Sequence, residues 1–153
     1  MQPDKPVILV VDDDPVNLDI LVRTLERDYF LIIAKNGKRA LELAAAHRPD
    51  LILLDILMPE MDGFEVCRRL KANRETEPIP VIFLSVMEAP GQKHRGFKVG
   101  GVDYVTKPFH ADEVIARVRT HVTNKRLREK LESHNMLIAM ELHEKSRQLE
   151  TLM

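Results

Sequence analysis

The stretch Leu51-Ile52-Leu53-Leu54-Asp55-Ile56-Leu57-Met58-Pro59-Glu60-Met61-Asp62-Gly63 decides the fold. Its first four residues are apolar without alternation, the pattern of a strand covered by helices on both faces. The run then meets a lone acid and, a few residues on, an Asp-Gly pair suited to a turn and a helix start.

Working outward, four more strand-like runs appear: Val7 to Val11, Phe30 to Ala34, Val81 to Leu84 and Val102 to Thr106. The first and fourth strands, like Leu51 to Leu54, are almost wholly apolar, so these three are expected at the centre of a sheet. Helical segments separate them. Asp14-Pro15 is a helix start, with Asp as cap and Pro in the first turn, and Leu18, Leu21, Val22 and Leu25 follow at i, i+3, i+4, i+7. Further helices are expected at Lys38 to His47, Phe64 to Ala72 and Gln92 to Val99, and from Ala111 onward. This order predicts an α/β fold, a doubly wound (βα)5 parallel sheet of five strands.

Bulk properties narrow the function. A chain of 153 residues with 44% hydrophobic content has room for one domain plus an appendage. Its net charge of -1 and pI of 6.6 argue against a general nucleic-acid or membrane-surface binder. Cys67 is the single cysteine, which rules out an internal disulfide and any Cys-based zinc cluster. No apolar run approaches the roughly 20 residues of a membrane span, and a cytoplasmic protein is expected.

In open parallel sheets the chemistry collects at the carboxyl ends of the strands. There the chain places Asp12-Asp13-Asp14, Asp55, Ser85 and Lys107-Pro108. Several carboxylates on one edge repel one another unless a cation joins them, and oxygen-only ligands suit Mg²⁺. A phosphoryl-transfer site follows, with a carboxylate available as nucleophile, a lysine as point charge and a hydroxyl as donor.

The stretches VVDDDP, LILLDILMPEMDG, VIFLS and DYVTKPF, in this order and spacing, resemble the response-regulator receiver family, whose fold is flavodoxin-like. The resemblance runs from about Pro6 to Thr123, so residues 1–123 are expected to form the receiver. It implies that Asp55 is the phosphoacceptor. Asp13 would be a direct Mg²⁺ ligand, Asp12 would act mainly through water, and the backbone carbonyl of Leu57 would complete the set. Ser85 matches the hydroxyl that moves toward the phosphoryl group, Lys107 the ion-pairing lysine, Tyr104 the aromatic switch, and Lys107-Pro108 a cis peptide bond. The implied partner is a histidine kinase or histidine phosphotransfer protein.

Plainer roles suit other residues. Asp14 and Asp62 read as helix-start residues, Cys67 as packing, and the six histidines as solvated or helix-face residues. A rival function is a haloacid-dehalogenase-like phosphatase using Asp12, since Asp12 and Asp14 form Asp-x-Asp after the first strand; it leaves Asp55 idle. A nucleotide-binding module lacks its glycine motif, and no helix-turn-helix follows residue 123. His134 and His143 lack the surroundings of a kinase phosphoacceptor.

The family most often has a small residue after the hydroxyl position, where this chain has Val86. Leu57 and Met87, at the positions that tend to flank the phosphoryl group, are apolar and cannot orient a water. A long-lived phosphoaspartate is expected. Residues 124–153 contain no Gly or Pro and carry Leu127, Leu131, Ile138, Leu142, Leu149 and Leu152 in one stripe, mostly in steps of four and seven. This 11-residue repeat predicts a straight or slightly right-handed two-stranded coil extending the last helix. A homodimer is therefore expected through this helix and the face formed by the fourth helix, fifth strand and fifth helix. The tail's end at Leu152-Met153, without a cap, suggests a linker to a missing output domain.

Overall fold

The computed structural model describes residues 5–86 and 91–152. Strands and helices alternate as β1 Val7–Val11, α1 Pro15–Leu25, β2 Phe30–Ala34, α2 Gly37–His47, β3 Leu51–Asp55, α3 Gly63–Ala72, β4 Val81–Ser85, α4 Gln92–Lys98, β5 Asp103–Thr106 and α5 Ala111–Leu152. The five strands form one parallel sheet in the order β2-β1-β3-β4-β5, which puts the three most apolar strands at its centre. Three strand boundaries differ from expectation by one residue. Asp55 and Ser85 still pair, with Leu84 and Thr106, and so close β3 and β4 rather than following them. Val102 lies before β5, although its N–H still reaches the Val81 carbonyl at 2.9 Å.

Strand alternation sends side chains to two cores. Leu9, Val11, Ile52, Leu54, Val81 and Phe83 pack with α2 and α3. Ile8, Val10, Leu51, Leu53, Ile82 and Leu84 pack with Leu18, Leu21 and Leu25 of α1 and with Val114, Val118 and Val122 of α5. Each such side chain removed from water contributes roughly 1.5–3 kcal/mol before entropy is counted. Caps fix where helices begin: Asp14, Asn36 and Asp62 accept backbone N–H groups of Val16, Arg39 and Glu65 at 2.8–2.9 Å. Helices α1 and α3 thereby start just beyond the carboxyl ends of β1 and β3.

Helix α5 is one unbroken helix of 42 residues, about 63 Å long at 1.5 Å per residue. Its last buried side chain is Lys125, and from Leu127 to Thr151 every side chain is exposed. The helix does not fold back. At its departure point Asp50, just before β3, accepts the Val7 N–H at 2.8 Å and faces Arg126 at 3.5 Å and Lys125 at 3.9 Å. The base of the sheet therefore holds the root of the tail.

Candidate functional site

At the carboxyl edge of the sheet, Asp12 is fully buried just beyond β1, and Asp55 ends β3 at 2% exposure. Asp13 is exposed beside them, and carboxylate oxygens of Asp12, Asp13 and Asp55 lie within 4.8 Å of one another. Lys107, arriving from β5, places Nζ 3.1 Å from Asp55 Oδ1 and 3.2 Å from Asp12 Oδ2. Only the first contact is a hydrogen bond; Asp12 Oδ2 stays buried without one. The Asp14 and Leu57 N–H groups donate to Asp12 Oδ1 at 2.9 Å and Asp55 Oδ1 at 3.3 Å.

Electrostatics follow from this crowding. Burial, and then the neighbouring Asp12 charge, push the Asp55 carboxyl up to about 6, against the opposing pull of Lys107. Burial alone would lower Lys107, but its two acidic partners raise it. One ammonium cannot balance three carboxylates, and a buried carboxylate oxygen with no hydrogen bond beyond its ion-pair contact is costly. The donor set fits a hard divalent cation, which takes oxygen ligands and tolerates solvent on its open side.

Local backbone features place these groups. A side chain at Gly63 would overlap the Asp55 carbonyl and approach Ile56 Cα to 2.9 Å, so glycine lets α3 begin directly against the strand end. The Lys107-Pro108 bond is cis, as expected, and the Lys107 N–H donates to the Ser85 carbonyl at 2.6 Å. Ser85 is 6% exposed and donates its hydroxyl to Gln92 Oε1 at 3.2 Å. Tyr104 is also buried, its ring 5.6 Å from Phe83 and 5.5 Å from Phe97, its hydroxyl donating to the Gln92 carbonyl.

Of the residues singled out by sequence, Asp12, Asp13, Asp55 and Lys107 thus converge, with Ser85 at the adjoining strand end and Tyr104 inside β5, opposite Phe83. Leu57 turns its side chain to solvent and Val86 is half exposed. Met87 lies outside the described residues. Asp14 and Asp62 cap helices, and Cys67 is packing: burial pushes its thiol up to about 11. His121 takes the helix-face role on α5, where its Nε2 lies 2.9 Å from Asp103 Oδ2 while Arg117 Nη1 holds Oδ1 at 2.6 Å. Burial would raise Asp103, but these partners and the Tyr104 N–H hold its carboxyl below the usual range.

Sequence reasoning did not identify Gln92 or Gly96 of α4, or the Asp103 cluster. Gln92 had only a helix-start signal, and Asp103, Arg117 and His121 meet through strand-to-helix packing that carries no local motif. The phosphatase alternative loses its pair: Asp14 is engaged by the Val16 N–H, and Asp12 is buried against Lys107.

Comparison with known proteins agrees with this geometry. Residues 8–119 match the family model described as the response regulator receiver domain. A probable cyclic di-GMP phosphodiesterase of Vibrio cholerae is 42% identical over 145 residues, covering 95% of this chain and 33% of that protein. The DNA-binding dual master transcriptional regulator RpaA of Synechocystis is 43% identical over 115 residues, covering 74% of this chain and 48% of its own length. The chain thus spans a third to just under half of these relatives. The crystal structure of the receiver domain of a Pseudomonas aeruginosa sensor histidine kinase, with a magnesium ion coordinated in its active-site cleft, superimposes with a TM-score of 0.73 at 28% identity, covering 78% of this chain and 98% of that one.

Proposed function

This chain belongs to the response regulator receiver domain family, and from that premise we propose that Asp55 accepts a phosphoryl group from phosphohistidine on a histidine kinase or phosphotransfer protein. The observation carrying the assignment is the Lys107 ammonium set 3.1 Å from Asp55 Oδ1 and 3.2 Å from the otherwise unpartnered Asp12 Oδ2. A carboxylate oxygen of Asp55 attacks phosphorus, the phosphorus–nitrogen bond breaks, and its electron pair returns to the imidazole. Lys107 keeps a positive charge beside the incoming phosphoryl oxygens, and Ser85 offers a hydroxyl proton.

Asp12, Asp13, Asp55 and the Leu57 carbonyl would hold Mg²⁺. When bound, the ion supplies charge neutralisation for the acidic cluster and the phosphoryl oxygens. The Asp12 oxygen, which has a charge contact to Lys107 but no hydrogen bond, supports its presence. Ser85 and Tyr104 then form the switch, and the face of α4, β5 and α5 carries the change outward.

The tail is read as a dimerising linker. The Vibrio relative matches 95% of the chain, well into residues 124–153, whereas the RpaA match covers 74%. That relative is named as a phosphodiesterase, which supports an output domain joined through a helix of this kind. A second copy would cover Leu127, Leu131, Ile138, Leu142 and Leu149, all exposed in the single chain. The central assignment is tested by intact mass after acetyl phosphate treatment with Mg²⁺. One phosphoryl increment is expected in the wild type and none in Asp55→Ala; an increment retained in the variant refutes it.

A further inference from the structure

Two residues with a proposed switching role meet at a third that has none. Ser85, at the end of β4, donates its hydroxyl to the side-chain oxygen of Gln92 at 3.2 Å. Tyr104, in β5, donates its hydroxyl to the backbone carbonyl of the same Gln92. Gln92 is the first residue of α4. One turn later Gly96 supplies the room: a side-chain carbon there would overlap the Tyr104 hydroxyl and lie 2.8 Å from its Cζ and 3.0 Å from Phe83. The first turn of α4 is thus fastened to β4 through a side chain and to β5 through a backbone oxygen, with a slot cut for the tyrosine ring.

We infer that Gln92 is the positioning residue that couples Ser85 to Tyr104, converting capture of the Ser85 proton by a phosphoryl oxygen into movement of the tyrosine's acceptor. The inference rests on the reading of Ser85 and Tyr104 as the switch. A serine hydroxyl has one proton to donate. Ser85 cannot hold both Gln92 Oε1 and a phosphoryl oxygen with it, and the charge-assisted bond to the phosphoryl group is the stronger of the two. Once Ser85 turns away, its hydrogen bond to the Gln92 side chain is lost. The carbonyl that holds Tyr104 belongs to the residue just released, so the tyrosine's hydrogen bond and the start of α4 shift together. No contact between Ser85 and Tyr104 is required.

Geometry at the other end supports a narrow path. Gly91, the N-cap of α4, has φ 91° and no side-chain capping bond. The two bonds to Gln92 therefore provide side-chain anchorage at a helix start that lacks an ordinary cap. Tyr104 in turn lies between Phe83 beneath and Phe97 outside, so a shift of its hydroxyl reaches the exposed Phe97 edge of α4.

The chain has two tyrosines and no tryptophan, so 3-fluorotyrosine labelling gives two fluorine NMR signals, Tyr29 and Tyr104, assigned with Tyr29→Phe. Spectra are taken with Mg²⁺ before and after addition of beryllofluoride, a phosphoryl mimic, in wild type, Gln92→Leu and Gln92→Glu. Glu keeps an acceptor for Ser85, and Leu does not. The expected result is a shift of the Tyr104 signal in wild type and Gln92→Glu and loss of that shift in Gln92→Leu, with Asp55 phosphorylation by acetyl phosphate equal in all three. A full Tyr104 shift in Gln92→Leu overturns the coupling while leaving the switch reading intact. A Tyr104 signal that stays fixed in phosphorylated wild type overturns the switch reading and the coupling with it.

Discussion

The Lys107 ammonium lies 3.1 Å from Asp55 Oδ1, a hydrogen bond between two strand ends 52 residues apart in the chain. The same ammonium lies 3.2 Å from Oδ2 of Asp12, whose charge repels that of Asp55, so Lys107 restrains both buried acids and, on the proposed function, marks where a transferred anion would sit. Lys107→Met should lower the initial rate of phosphorylation by acetyl phosphate by roughly tenfold or more, as loss of a charge aimed at the transferred group does elsewhere. Time-resolved intact mass measures it; an unchanged rate would remove Lys107 from the reaction.

Acid titration offers a second check, and its sign is set by burial. The Asp55 carboxyl is raised to about 6 in the folded chain, whereas an unfolded Asp titrates near ~4. Between these values the folded state binds more protons, so this group's contribution to stability rises as pH falls through the window. Without metal, Asp55→Asn should be more stable than wild type at pH 7 by on the order of 1–3 kcal/mol, with the gap closing toward pH ~4. Urea unfolding in chelator at several pH values measures the gap, and one that widens in acid contradicts the assignment. Mg²⁺ at pH 7 should then stabilise wild type more than the variant.

The lifetime of the phosphoryl group should be long. Leu57 exposes an aliphatic side chain two residues beyond Asp55 and cannot align a hydrolytic water. Leu57→Gln should accelerate decay of the phosphorylated protein by about tenfold, below the roughly hundredfold or more of a positioned proton-transfer group because an amide only orients the water. Following the phosphorylated mass after removal of donor decides it, and decay within seconds in wild type would refute the slow switch.

Self-association should depend on the tail. Ile138→Asp with Leu142→Asp places charges on adjacent turns of the exposed stripe, where each buried unpaired acid would oppose assembly. Sedimentation analysis should show a dimer for the unaltered chain and a monomer for the double variant, with unchanged far-UV circular dichroism at the domain's melting transition. A dimer that survives both changes would move the interface elsewhere.

Much of the fold was legible because periodicity and burial share a cause. Leu51 to Leu54 read as a two-faced buried strand and is one, and Asp14 and Asp62 read as helix starts and accept the expected N–H groups. The acidic site was legible because all of its members close strands or follow them directly. What could not be read was the placement of α4. Gln92 meets Ser85 and Tyr104 through one side-chain and one backbone oxygen, and a backbone carbonyl leaves no trace in residue type. The Asp103, Arg117 and His121 cluster escaped for a related reason, since its partners sit 14 and 18 residues apart on different elements.

Asp50 gives the tail a fulcrum. By fastening Arg126 and Lys125 to the base of the sheet while the 26 residues beyond stand clear of the domain, it makes the helix a lever rather than a tether. That free arm is about 39 Å long, so a rotation of roughly 5° at its root sweeps the tip through ~3 Å. A displacement too small to notice inside the domain becomes, at the far end, large enough to re-register one helix against another.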